Sequence, residues 1–203
     1  MVKDYAAKPF IFRFFIGIIA NRREAFIYRK LEGLRGIPKW IGLIDRYALA
    51  IAYVPGRNAS ELNSGELTPL FFKKLREIVD AIHDRGIVLC DLRNIKNVIL
   101  GEDGEPYLID FSTAFQKGSR VNFLKNGLYR IFYQDDLLGI AKLKKRCAPG
   151  LLTESERSAL EKGLFLQKEA IFIKHKGRAL LQKLFGFGRT HGNDQKSDTK
   201  RLQ

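Results

Sequence analysis

Two aspartates and an asparagine, Asp91, Asn97 and Asp110, fall within one stretch from His83 to Phe111 that reads HDRGIVLCDLRNIKNVILGEDGEPYLIDF. Oxygen-bearing side chains of these types are the parts that phosphoryl transfer needs. One carboxylate orients or deprotonates a hydroxyl, while an amide and a second carboxylate hold a divalent cation against phosphate. A hard cation takes oxygen ligands, and asparagine supplies a neutral one where aspartate supplies a charged one. Asn94, in the same loop, competes with Asn97 as the amide ligand. Spacing alone leaves a second reading open, in which an aspartate at a strand end is a solvated cap. The elements that carry these residues decide between the two.

Thr68-Pro69 predicts a helix start, because the hydroxyl can cap an orphan amide and proline suits the first turn. Phe71, Leu75, Ile78, Val79 and Ile82 then recur at helical spacing up to His83, and Gly86 ends the helix. The apolar run 87–89 leads into a polar loop over 91–96. Residues 98–100 and 107–109 flank Glu102-Asp103-Gly104-Glu105, the pattern of a β-hairpin. Asp91 and Asp110 lie on either side of that hairpin, where their side chains can converge.

Upstream, residues 1–5 read as a short extended piece and 21–34 as a helix stopped by Gly33 and the Gly36-Ile37-Pro38 turn. Residues 40–44 and 47–54 read as strands, Pro55-Gly56 punctuates the second, and 57–66 reads as polar loop. Downstream the chain is helical, with Thr153 and Glu156 spaced as a capping box for a helix reaching about Phe185. Residues 186–203 are polar, glycine-bearing and expected to be disordered.

The 203 residues are 45% apolar and 29% charged, the balance of an ordinary globular domain, which excludes wholesale disorder, a disulfide scaffold and a polytopic membrane protein. With 36 Lys and Arg against 22 Asp and Glu, the net charge of +14 favours anionic partners. Cys90 and Cys147 show no metal-ligand spacing, and His83, His175 and His191 are scattered. A reducing cytoplasm is the natural compartment. The apolar run 9–20 contains Arg13 and is too short for the ~20 residues that span a bilayer. It also lacks a signal-peptide cleavage site. The segment PFIFRFFIGIIANRR reads either as a packed helix or as a membrane-surface helix with a basic flank, and the cations Lys142, Lys144, Lys145 and Arg146 repeat the theme. No helix-turn-helix, zinc finger or aromatic RNA-binding signature accompanies the charge, so nucleic acid is disfavoured as a partner.

The stretch from His83 to Phe111 resembles the catalytic loop, hairpin and metal-binding turn of the protein-kinase-like superfamily. Within it, the nearest flavour is that of small bacterial lipopolysaccharide-core (Kdo/heptose) kinases and RIO-type kinases. The resemblance implies that Asp91 is the catalytic aspartate, that Arg93 positions a phosphate or Asp91, and that Asn97 and Asp110 hold Mg²⁺. Phe111-Ser112 stands where the family often has Phe-Gly. IAYVPG, residues 51–56, resembles the hinge, whose backbone would meet adenine near Ala52 and Val54. Val2-Lys3 resembles the third-strand lysine motif, with Glu24 as its ion-pair partner, and the two would grip the phosphates of ATP. Asp135-Asp136 would hold the catalytic loop from below.

Leu89 and Cys90 depart from the family's usual residues before the aspartate, and the spacing from Asp91 to Asn97 is one residue longer than usual. The 203 residues start at the lysine motif, so the glycine-rich loop and first two strands of the family are not among them; either they lie upstream or the phosphates are covered differently. The implied fold is α+β and protein-kinase-like. It would have a shortened small lobe over 1–55, a mainly helical large lobe over 56–185 and a disordered tail over 186–203. The implied activity is ATP-dependent phosphoryl transfer to a hydroxyl of a lipopolysaccharide or glycolipid sugar, or of a protein serine or threonine. The alternative is a catalytically inactive kinase-like scaffold or nucleotide-binding module. The expected partners are nucleotide, the hydroxyl acceptor and an anionic membrane surface, with the protein peripheral at the cytoplasmic face.

Overall fold

The computed structural model describes residues 2–4 and 18–162. Most of the run 9–20 and the whole tail 186–203 lie outside those residues, as does the continuation of the last helix towards Phe185.

Strand β1 (Val2–Asp4) pairs antiparallel with β3 (Ala48–Ile51), placing Lys3 opposite Leu49. Strand β2 (Trp40–Leu43) lies along the other side of β3. Helix α1 (Ile18–Lys30) packs on this sheet through Ile27 and Tyr28, with Leu31 buried just past its end. The helix starts earlier and stops sooner than its apolar spacing predicts. From Leu31 on, the chain continues as hydrogen-bonded turns, with Leu34 N donating to Leu31 O at 3.2 Å. Gly33 and Gly36, at φ of 80° and 73°, take it out of helical geometry.

Strand β4 (Gly56–Asn58) opens a second sheet with β6 (Val98–Gly101) and β7 (Pro106–Leu108), in the order β4-β6-β7. The pattern of residues 57–66 reads as loop, yet Arg57 and Asn58 pair with Leu100 and Ile99. Gly56 permits this, because a Cβ there would collide with the Leu100 carbonyl oxygen. Helix α2 (Pro69–Asp84) buries Phe71, Leu75, Ile78, Val79 and Ile82, the positions its spacing predicts. Thr68 Oγ1 caps it by accepting from Phe71 N at 3.1 Å. Thr68→Ala is expected to cost about 1 kcal/mol, read as a fall of roughly 2–4 °C in melting temperature.

Strand β5 (Ile87–Val88) follows α2 and pairs with β8 (Phe115–Gln116), a ladder too short to show in the sequence. Helix α3 (Phe123–Cys147) runs from an Asn122 cap. Helix α4 starts at residue 154 behind the Thr153–Glu156 capping box, in which Thr153 N meets Glu156 Oε2 at 2.9 Å and Glu156 N meets Thr153 Oγ1 at 3.2 Å.

One core joins these elements, through Tyr28 of α1, Leu49 and Ile51 of β3, Leu75 and Val79 of α2, Leu108 of β7 and Leu143 of α3. Phe111 is buried in it, edge-on to Tyr28 with ring centroids 4.8 Å apart. That contact fixes the backbone directly after Asp110. Among the described residues no helix is long and apolar enough to cross a membrane.

Candidate active site

The loop after β5 is held from beneath by α3. Asp136 is fully buried and accepts three bonds: from Leu89 N at 2.8 Å, from Cys90 N at 3.0 Å and, across 2.9 Å, from His83 Nε2 at the end of α2. A buried carboxylate is tolerated where donors surround it. Tyr129 of α3 adds a hydroxyl bond to His83 O at 2.9 Å, and Thr113 Oγ1 donates to Leu89 O at 3.1 Å. Cys90 adopts φ of 64°, a left-handed conformation that costs a non-glycine residue about 1 kcal/mol. The bonds to Asp136 hold it there and aim the next residue, Asp91. Burial and the neighbouring Asp136 charge push the Cys90 thiol up to about 12.

Asp91, Asn97 and Asp110 line one small recess, together with Leu92, Leu108 and Phe111. Asn97 sits at the end of a 3-10 turn (Ile95–Asn97), where its Nδ2 donates to Asp91 O at 3.2 Å and to Asp91 Oδ2 at 3.3 Å. Both acceptors are oxygens, so the amide orientation is fixed and Oδ1 is the atom turned from Asp91. Asn94 behaves differently: its Oδ1 caps the turn by accepting from Lys96 N, and it does not line the recess. Ile109 N donates to Asn97 O at 3.0 Å and so ties the hairpin's far strand to the loop.

Asp110 leaves that strand at φ of 65°. Its Oδ1 accepts from Ser112 N at 3.2 Å, from Ser112 Oγ at 2.6 Å and from Lys3 Nζ. Lys3 Nζ also stands 3.0 Å from Oε1 of Glu24, a fully buried α1 side chain whose carboxylate accepts from Phe111 N at 3.2 Å. Three elements distant in sequence thus meet at one ammonium. Burial works against charge on Lys3, but attraction to Glu24 and the bond to Asp110 outweigh it and raise its pKa. Burial likewise pushes the Asp110 carboxyl up, and the bonds from Lys3 and Ser112 more than offset that, so its pKa is lowered. By linkage, the stability from Asp110 is fully present above the ordinary carboxylate range and lost as pH falls through its depressed pKa. The stability from Lys3 is present below the ordinary lysine value and lost only above it.

The remaining candidate residues lie apart from this cluster. Residues 52–55 connect β3 to β4, and Ala52 N donates to Lys39 O at 2.8 Å. Arg93 Nε pairs with Asp135 Oδ2 at 3.0 Å and does not line the recess of Asp91. Burial raises the Asp135 carboxyl, with Arg93 opposing. The Ser112 hydroxyl is a contributor that sequence reasoning treated only as a departure from glycine. Its position two residues after an aspartate is the signal, since that spacing favours a local side-chain turn. Arg23 is another, donating to Ala114 O and tying α1 to the segment after Asp110. Among the described residues no three His, Cys, Asp or Glu side chains cluster as a metal site, so a cation here would rely on Asn97, Asp110 and ligand oxygens.

No protein-family model and no curated protein matches the sequence. Among solved structures, the Rio2 kinase from Chaetomium thermophilum is similar with a TM-score of 0.50 and 14% identity, over 75% of this chain. The match spans only 56% of the Rio2 chain. With its small sheets, its helices and that likeness, the chain has an α+β, protein-kinase-like fold.

Proposed function

We propose that this chain is a phosphotransferase that binds ATP with Mg²⁺ and passes the γ-phosphoryl group to a hydroxyl. The observation that carries the reading is the meeting of Lys3, Glu24 and Asp110 beside the recess shared by Asp91 and Asn97. Lys3, held by Glu24, offers its ammonium to phosphate oxygens. The Asn97 amide oxygen and the Asp110 carboxylate are hard donors of the kind Mg²⁺ takes, and the ion when bound would neutralise charge on the phosphates. The Ala52 carbonyl and Val54 amide suit the edge of an adenine. Asp91, kept in place by Asn97, accepts or orients the proton of the acceptor hydroxyl. Arg93, through Asp135, positions the loop.

For the acceptor, a sugar of a lipopolysaccharide-type glycolipid is preferred over a protein serine or threonine. The net charge of +14 favours an anionic, membrane-borne acceptor at the cytoplasmic face. This also favours a lipopolysaccharide-core kinase reading within the kinase-like fold.

The test is thermal melting with ATP alone, Mg²⁺ alone and both, on wild type and Asp110→Ala. At ~100 times Kd, ligand binding adds ~2.7 kcal/mol, a rise of roughly 5–10 °C at this chain length. The expected result is a rise that needs both ligands and disappears in the variant. No rise in wild type would favour the inactive scaffold instead.

A further inference from the structure

Among the described residues, the N-terminal half of α3 carries an outward apolar face. Phe123 is 82% exposed, Leu124 80% and Ile131 63%, with Leu128 exposed as well. Leu124, Leu128 and Ile131 follow the i, i+4, i+7 spacing of one helical face, while Tyr129, Asp136, Ile140 and Leu143 of the same helix turn to the core. Gly127, between them, has no neighbour within 4 Å of where a Cβ would stand, so the face is open there too.

This face sits on firmly bonded backbone. Asn122 Oδ1 caps α3 by accepting from Lys125 N at 3.0 Å, Asn126 Oδ1 accepts from Gly118 N at 3.1 Å and Asn126 Nδ2 donates to Ser119 O at 2.9 Å. Lys117 N donates to Gly86 O at 2.8 Å, which anchors the start of the segment to the large lobe. An ordered helix turn that presents several large apolar side chains to water is the mark of an interaction surface.

Charge identifies the partner. From Ser112 to Gln134 the chain contains Lys117, Arg120, Lys125 and Arg130 and not one Asp or Glu. Arg120, shortly before Leu124, and Arg130, next to Ile131 in the chain, are exposed. Exposed apolar side chains in a stretch whose charges are all positive match the boundary between acyl chains and anionic headgroups. A second copy of this chain is a poor match, since a self-complementary contact would bring cation against cation. We infer that the N-terminal half of α3, with the turn before it, docks on an anionic lipid bilayer. The inference goes beyond phosphoryl transfer and does not depend on it; if both hold, the active-site loop works at a membrane surface.

The experiment is co-sedimentation of the full chain with vesicles of phosphatidylcholine alone and of phosphatidylcholine mixed equally with phosphatidylglycerol. Two double variants accompany it, Leu124→Ser with Leu128→Ser, and Arg120→Ser with Arg130→Ser. All four side chains are exposed, and melting temperature checks that each variant is folded. The expected result is binding to the mixed vesicles only, weakened by salt, with each variant reducing the partition coefficient about tenfold or more. Wild-type protein that ignores the mixed vesicles overturns the inference. So does undiminished binding of both variants, which would place the lipid contact elsewhere on the chain. Loss of self-association in the leucine variant without a change in vesicle binding would assign the face to a second copy. Nucleotide-dependent melting is a separate readout, so failure of the docking face and failure of the phosphotransferase reading are told apart.

Discussion

Asp91→Ala is expected to slow phosphoryl transfer about a hundred- to ten-thousand-fold, the range for loss of a positioned general base. Nucleotide binding should survive the change, because Lys3, Glu24 and Asp110 form their cluster without Asp91. The structural cost should be limited to the bonds from Asn97 and Asn94 to Asp91 Oδ2, at 3.3 and 3.4 Å. Each is worth roughly 1 kcal/mol or a little more. The measurement is ADP release from MgATP, with an acceptor or with water, set beside the Mg-ATP melting shift. Turnover within a few-fold of wild type would remove Asp91 from the chemistry. A lost melting shift would mean that the loop collapsed and that the substitution is uninformative about the proton, in which case Asp91→Asn, nearly isosteric, replaces it in the same assay.

The second large effect concerns stability. Asp136→Leu keeps the branched outline of the side chain, though its methyl groups are bulkier than carboxylate oxygens, and leaves Leu89 N, Cys90 N and His83 Nε2 without their acceptor. Each stranded donor costs about 1–3 kcal/mol, and removing one member of a buried polar cluster typically costs about 3–5 kcal/mol. Melting should fall by about 10 °C or more. Asp135→Asn, one residue away and partly exposed, should cost within about 1 kcal/mol, as most partly solvated ion pairs do. Equal stability of Asp136→Leu and wild type would show that the loop holds its left-handed Cys90 without the carboxylate.

Where apolar spacing is long and regular, the sequence is readable. Helix α2 shows its cap, its buried face and its end in the residues from Thr68 to Gly86, and the hairpin around Asp103-Gly104 is equally plain. Short pairings were not legible: β5 with β8 involves two residues a side, and β4 depends on Gly56 letting two backbones approach. These are long-range matches with no local period to betray them. The site divides in the same way. Asp91, Asn97 and Asp110 announce themselves through one stretch of chain, whereas Glu24 could equally have been a solvated helix carboxylate. Its complete burial comes from the packing of α1 between sheet and core, which no local pattern encodes. Asn94 competes with Asn97 on paper, and the two are separated by place: both donate to Asp91 Oδ2, but only Asn97 lines the recess.

The turn at Cys90 has a consequence for how the protein weathers oxidants. A thiol whose proton leaves only at about 12 is almost entirely un-ionised at neutral pH, and it is the thiolate that peroxides and electrophiles attack. The sulfur just before Asp91 is therefore chemically quiet. Burial does most of this, and Asp136 adds to it by placing a negative charge where a second one is unwelcome. The same carboxylate that shapes the loop thus also works against ionisation of its thiol.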